Sequence, residues 1–304
     1  MPEPLAFLNG EFIPAGALSV PVYDTGFVLG ATVTEQLRTF DGRLFRLETH
    51  LARLRRSLEI IETELPVSWA ALTEAAERLA TENHKLLEPA NDLGLSIFVT
   101  PGDYASLIDG VASGPRLAMH TYRLAFSRWA RLYESGCHLA TTPIQQVPPE
   151  CWPAALKCRS RMHYYLADLA AQKQDPQARA VLLDREGRVT ETSTANVLAY
   201  RADEGLVSPR RETVLPGISL MFLSELARAH SIPFIERDLS AEDLTTAEEV
   251  LLTSTPNCLL PVVRLNGNPI GRGSPGVVFH RLLQAWGEAV GIDVAAQARR
   301  FSAV

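Results

Sequence analysis

The chain is 304 residues long and 46% hydrophobic, enough to bury one large core or two smaller ones. Its 29 basic and 35 acidic side chains leave a net charge of −6, so it has no electrostatic reason to seek a nucleic-acid backbone. No run approaches the roughly 18 uncharged apolar residues of a membrane span, and the start MPEPLAFLNGEF lacks the basic-then-apolar order of a signal peptide, which together predict a soluble cytoplasmic protein.

In chain order, LAFLNGEFI sets Asn9-Gly10 between two short apolar runs, a hairpin signal because tight hairpin turns need positive φ. RLFRLETHLARLRRSLEIIE carries Leu47, Leu51, Leu54, Leu58 and Ile61 at helical spacing, and a second helix is expected over 68–82. Strands at LGLSIFVT and PRLAMHTYRL complete a small N-terminal α/β domain over 1–122. AFSRWARLYESG has no strong strand period, which places an interdomain linker at 123–133 and a larger C-terminal domain over 134–304. There, PAALKCRSRMHYYLADLAAQ puts Lys157 at the entrance to a helical pattern whose Met162, Tyr165, Leu166 and Leu169 share one apolar face. ARAVLLDREGRVTET reads as two strands about a tight turn at Arg185-Glu186-Gly187, and ANVLAYRADEGLVSP as a further pair. IPFIERDL, EEVLLTST and LPVVRLNGNPI read as strands, the last with a hairpin at Asn266-Gly267, and the chain closes on a helix over 277–290. Cys137, Cys151, Cys158 and Cys258 have no CxxC pairing and no metal-ligand spacing.

Four features of this α/β chain bear on chemistry. Lys157 reads either as a solvated helix-entry residue or as an amine whose pKa a pocket lowers, ready to form a Schiff base. In LPGISLMF a glycine before a helix start directs the amides of Ile218 and Ser219 outward, where they and the helix dipole favour an anion. LLTSTPN ends a strand in Ser254 and Thr255, hydroxyls at a strand terminus. Glu191, in RVTETSTANVLAY, is a solvated charge if it faces out and needs a positive partner if it faces in. An amine, a carboxylate and an anion cup are the three groups that pyridoxal phosphate requires.

The ordered blocks NGEFIP, ALSVPVYDTGFVLGATVTEQLRTFDGRLFRLETHLARLRRS, LLDREGRVTETSTANVLAY, VLPGISL and AEEVLLTSTPNCLLPVVRLNGNPIG make the chain resemble the class IV (fold-type IV) pyridoxal-phosphate enzymes. That group includes branched-chain, D-amino-acid and R-selective amine aminotransferases and aminodeoxychorismate lyase. The resemblance implies a two-domain α/β fold with pyridoxal 5'-phosphate between the domains, and a homodimer. It implies Lys157 as the Schiff-base lysine and Glu191 as the carboxylate on the pyridine nitrogen. Arg53 becomes the phosphate-binding arginine, Ile218 and Ser219 supply amides to the phosphate, and Thr255 a hydroxyl and an amide. The activity it implies is ping-pong transfer of an amino group between a small amino acid or amine and a 2-keto acid. The alternatives are a lyase that eliminates pyruvate and, from another class, a non-catalytic scaffold.

The departures from that pattern all concern substrate. In GATVTE, Thr34 stands where the family often has an aromatic residue, and Met162 where branched-chain enzymes often show tyrosine. Pro101 replaces an arginine common in two branches, and Pro256 after Thr255 removes an amide donor. Arg159, Arg161 and His163 are the candidates to replace the lost carboxylate contacts. Arg161 is favoured if a helix starting at Lys157 brings it one turn on, to a similar face.

Overall fold

The computed structural model describes residues 3–302 and divides them into two compact units. One runs through Leu124 and takes in Leu156–Ser160; the other comprises Ala125–Ala155 and the chain from Arg161 onward.

The first unit begins with β1 (Leu5–Leu8) and β2 (Glu11–Pro14), joined by Asn9 and Gly10 at φ 49° and 106°. A single helical turn α1 (Thr25–Val28), β3 (Val33–Phe40) and β4 (Arg43–Leu44) follow. Then come helices α2 (Leu47–Ile60) and α3 (Trp69–His84) and strands β5 (Leu93–Thr100) and β6 (Arg116–Arg123). The sheet order is β2-β1-β6-β5-β3-β4, antiparallel at every pairing. One face of the sheet supplies Val33, Leu37, Leu95, Ile97, Val99, Leu117 and Met119 to a core shared with Leu51, Leu54 and Leu58 of α2 and Leu72, Ala76 and Leu79 of α3. Each fully buried leucine contributes about 1.5–3 kcal/mol. Ser68 caps α3, its Oγ accepting from Ala71 N at 3.2 Å.

Leu156–Ser160 corrects one expectation. Lys157 does not stand at a helix entrance. The helix α5 (Met162–Gln174) starts five residues later, with Arg161 at its N-cap. The segment instead runs antiparallel to the start of β3, with Cys158 opposite Val33. Thr34 N donates to Lys157 O at 3.0 Å and Arg159 N donates to Thr32 O at 2.8 Å. Leu156 packs against the core of this unit. A helix from Lys157 would forfeit both backbone bonds and that apolar contact, so tertiary pairing overrides the local periodicity.

The second unit contains α4 (Leu132–Ser135), β7 (Cys137–Thr141), α5, β8 (Ala178–Leu183), β9 (Val189–Thr192), β10 (Asn196–Arg201) and β11 (Gly205–Ser208). It continues with α6 (Ile218–Ala229), β12 (Phe234–Glu236), α7 (Ala241–Thr246), β13 (Glu249–Ser254), β14 (Cys258–Leu265), β15 (Asn268–Pro269), α8 (Val277–Val290) and α9 (Val294–Arg300). Strand order is β12-β11-β10-β13-β14-β7-β8-β9, with β15 on β14. β9 also pairs with β10, through Asn196 opposite Glu191, so six strands from β10 to β9 close on themselves. On one side α6 and α8 meet through Phe222 and Trp286, whose rings stand edge to face at 4.8 Å.

The apolar face read on α5 also lies elsewhere than a core. The helix packs through Ala167 and Ala171 against Ala140, Ala178, Ala180 and Leu182. Small side chains let helix and strand approach closely, and the larger Met162, Tyr165, Leu166 and Leu169 are left 39–68% exposed. Among the described residues no helix is long and apolar enough to cross a membrane.

Candidate functional site

The first unit gathers Arg53, Lys157, Thr34 and Arg159 around the start of β3. Arg53 and Ser57 stand one turn apart on α2, and Ser57 Oγ accepts from Lys157 N at 3.2 Å. Arg53 is held by a residue that the sequence reading did not assign. Its Nε donates to Glu35 Oε1 at 2.7 Å and its Nη2 to Glu35 Oε2 at 2.8 Å, a bidentate pair. His50 Nδ1 lies 2.7 Å from Glu35 Oε2. Burial alone would raise the Glu35 pKa, but the Arg53 charge and the hydrogen bonds from Arg53 and His50 outweigh it and bring the carboxyl down to about 2. Burial also lowers the His50 pKa, against the pull of Glu35, which favours the neutral imidazole. An anionic Glu35 thus fixes Arg53 one helical turn from Ser57, the residue that accepts from Lys157 N. Glu35 closes the GATVTE block, but local spacing gives no sign that its partners come from α2.

Thr34 is buried, and its Oγ1 donates to Ile97 O at 2.9 Å. The hydroxyl is therefore taken up by the neighbouring strand in the sheet. Arg159 is exposed, with Nη2 3.4 Å from Ser96 Oγ.

The second unit gathers Glu191, Ile218, Ser219 and Thr255 at one end of its sheet, and Asn196 ties them together. Asn196 lies opposite Glu191 on one side and opposite Thr253 on the other, and its Nδ2 donates to Leu215 O at 2.9 Å, just ahead of α6. Gly217 precedes α6, and a Cβ there would meet Asn196 Oδ1 at 1.9 Å, so this close approach requires glycine. No side chain caps the helix start, where Ile218 and Ser219 occupy the first two positions. Thr255 begins the turn between β13 and β14, braced by Ser254 Oγ donating to Asn257 Oδ1 at 2.9 Å and by Tyr133 Oη donating to Asn257 O at 2.8 Å.

Glu191 is 7% exposed, so its inward reading holds. Tyr164 Oη donates to Glu191 Oε1 at 2.8 Å and Gln146 Nε2 to the same oxygen at 2.9 Å. Burial, with the Glu191 charge added, pushes the Tyr164 pKa well up, so the phenol stays a donor. Both donors were missed: Gln146 is 45 residues from Glu191, and Tyr164 reads as one more aromatic of a helix.

Arg161 is not on a common helical face with Lys157. It belongs to the second unit, where Nη2 donates to Ser193 O and the guanidinium lies 4.7 Å from the Tyr164 ring centroid. His163 stacks on Tyr164 with centroids 3.9 Å apart; burial, with Arg161 adding to it, pushes its pKa down to about 4.

Comparison with known proteins adds a family-level match over most of this sequence. Residues 32–265 match the family model described as "Amino-transferase class IV". A D-alanine aminotransferase of Staphylococcus epidermidis is 27% identical over 290 residues, 92% of this chain and 95% of that protein. A branched-chain-amino-acid aminotransferase-like protein 2 of Arabidopsis thaliana is 27% identical over 296 residues; the match takes in 93% of this chain but spans about half of that relative, 49%. Among solved structures, a branched-chain amino acid aminotransferase of Escherichia coli superposes with a TM-score of 0.86 at 23% identity, covering 94% of each chain. Another branched-chain amino acid aminotransferase, from T.th. and complexed with N-(5'-phosphopyridoxyl)-L-glutamate, superposes with a TM-score of 0.84 at 24% identity, covering 95% of this chain and 94% of that one. At these identities the structural likeness speaks to the fold, and the fold is shared.

Proposed function

The chain belongs to the class IV aminotransferases, pyridoxal-phosphate enzymes, and from that premise we propose how its own residues serve the reaction. The reading is an aminotransferase that moves an amino group between a small amino acid or amine and a 2-keto acid. The observation that carries it is the placement of Glu191, through Asn196, at the start of α6: a buried carboxylate and a row of backbone donors brought to one sheet end.

The residues present fit the cofactor. Bound pyridoxal phosphate supplies an aldehyde for amines and a ring that accepts the electron pair left when an α-proton departs. Lys157 would hold it covalently, and its Nζ would hold and move the proton taken from the substrate carbon. Glu191 would pair with the protonated ring nitrogen, and the donors Tyr164 and Gln146 hold its carboxyl group in direction. Arg53, Ile218, Ser219 and Thr255 hold the phosphate, with Glu35 preventing Arg53 from swinging away. Borohydride treatment of the purified yellow protein is expected to fix the coenzyme irreversibly to the peptide containing Lys157, read by mass spectrometry. A protein that stays colourless with added pyridoxal phosphate, or a label on another lysine, would overturn the assignment.

The same reading makes the protein a homodimer in the cytoplasm. It is supported by Met162, Tyr165, Leu166 and Leu169, an apolar stripe of a kind that monomers rarely leave to water. Leu166→Lys is expected to weaken the dimer by roughly 10-fold or more, since a charge would enter an apolar contact. Light scattering across a dilution series reads this, and a wild type of monomer mass at all concentrations would contradict it.

A further inference from the structure

Resting on the aminotransferase reading, we propose that Arg159 receives the carboxylate of the substrate, so that the enzyme selects amino acids over amines that lack one. Extended backbone sends alternate side chains to opposite sides, and Leu156 enters the core of the first unit. Lys157 and Arg159 therefore leave the strand on the side opposite to Leu156 and Cys158. Their neighbours across the pairing are Thr34 and Thr32.

That side belongs to the sheet face that does not carry the apolar core. Gln36 and Ser96 are opposite one another on β3 and β5, and Gln36 Nε2 donates to Ser96 Oγ at 2.7 Å. Ser96 is in turn opposite His120 on β6. The guanidinium of Arg159 extends over this polar patch to Ser96 Oγ. A cation two residues from the anchoring lysine, on the other side of the bridging Cys158 and backed by an amide and a hydroxyl, has the chemistry to hold a carboxylate in two hydrogen bonds.

Arg116 is paired with Asp24 and Asp103, and Arg38 is buried with Nε donating to Thr39 O. Arg161 donates to Ser193 O. Of the three candidates read in the sequence, Arg159 is the one whose position relative to Lys157 is set by the backbone pairing.

The test compares wild-type holoenzyme with Arg159→Leu and Arg159→Lys. Alanine, both enantiomers, and isopropylamine form a matched set, the amine carrying a methyl where alanine carries the carboxylate. Half-reactions are followed by the visible band of the coenzyme, and propionate serves as a non-reacting carboxylate whose affinity is read from the shift it causes. Arg159→Leu is expected to weaken propionate binding and to reduce the alanine-to-isopropylamine preference, each by roughly 10- to 100-fold, the worth of a hydrogen bond between charged groups. The loss should fall on the half-saturating concentration more than on the limiting rate, and Arg159→Lys should restore only part of it, since an ammonium cannot present the same fork. Unchanged propionate affinity in Arg159→Leu, or equal losses with alanine and isopropylamine, overturns the proposal. Borohydride labelling of Lys157 in all three proteins separates this failure from failure of the aminotransferase reading, which would abolish the label in the wild type.

Discussion

Lys157→Ala is expected to lower kcat/KM for amino transfer by roughly 10⁴-fold or more, the upper end of what a positioned general base supplies, with loss of the covalent anchor added. No other lysine can take over. The chain has three, and Lys85 is ion-paired with Glu82 at an exposed helix end, while Lys173 sits in the last turn of α5. Lys157 is fixed at the backbone on both sides of its peptide, by Ser57 Oγ at its N–H and by Thr34 N at its carbonyl. Its backbone is thereby held on both sides, and alanine at 157 keeps both bonds. The variant should therefore fold and bind coenzyme non-covalently, with the spectrum of free aldehyde. A small primary amine added to the assay should recover part of the rate if the lost function is proton transfer. Activity within about 10-fold of wild type would move the base to another residue.

Glu35→Gln is expected to destabilise the first unit by about 3–5 kcal/mol, the cost of stranding a buried charge by removing its partner. Glu35 is fully buried and Arg53 is 8% exposed, so water does little to replace the pair. The amide can accept one of the two Arg53 bonds but carries no charge, and the orientation of Arg53 should loosen, weakening coenzyme phosphate binding as well. Replacing both residues with apolar ones should recover stability but not coenzyme affinity.

The pH dependence follows from the same group. Its folded pKa, about 2, lies below the ordinary 4.5, so the folded carboxylate releases its proton more readily than the unfolded one. The stabilisation is complete above about pH 4.5 and is lost as the pH falls from there towards 2. Hydrogen-exchange protection of α2 and β3 amides should drop through that window in the wild type and show a smaller drop in Glu35→Gln. An unchanged acid profile in the variant would assign the slope to other carboxylates.

Much of the local architecture is legible in single segments. Asn9-Gly10 and Asn266-Gly267 mark hairpins because their residues reach positive φ at little cost, and both turns form. The leucine spacing of α2 and the apolar pattern over 277–290 give helices with the expected bounds to within a residue or two. β3, β7 and the short α1, α4 and α7 lie outside the segments read as elements, the shorter ones being too brief for a period to emerge, and the helix over 277–290 does not close the chain, since α9 follows it. The ordered blocks from GATVTE to LLTSTPN also carry family membership, since each preserves residue types at fixed spacing.

Residue identities alone supply the chemical groups: one lysine in a suitable block, a carboxylate in VTET, a glycine before α6 and hydroxyls at the end of β13. Folding settles which of them are held, by whom, and in which direction. Lys157 reads as a helix entrance from its neighbours and instead flanks a β-bridge to the start of β3, far earlier in the chain. Arg161 is the favoured of the two on paper, but it belongs to the second unit, while Arg159 lies in the first with Lys157. Helical and strand periods report forces between residues a few positions apart. Backbone pairing, burial of charge and closure of a sheet act between residues far apart in sequence, and they exist only once the chain has folded.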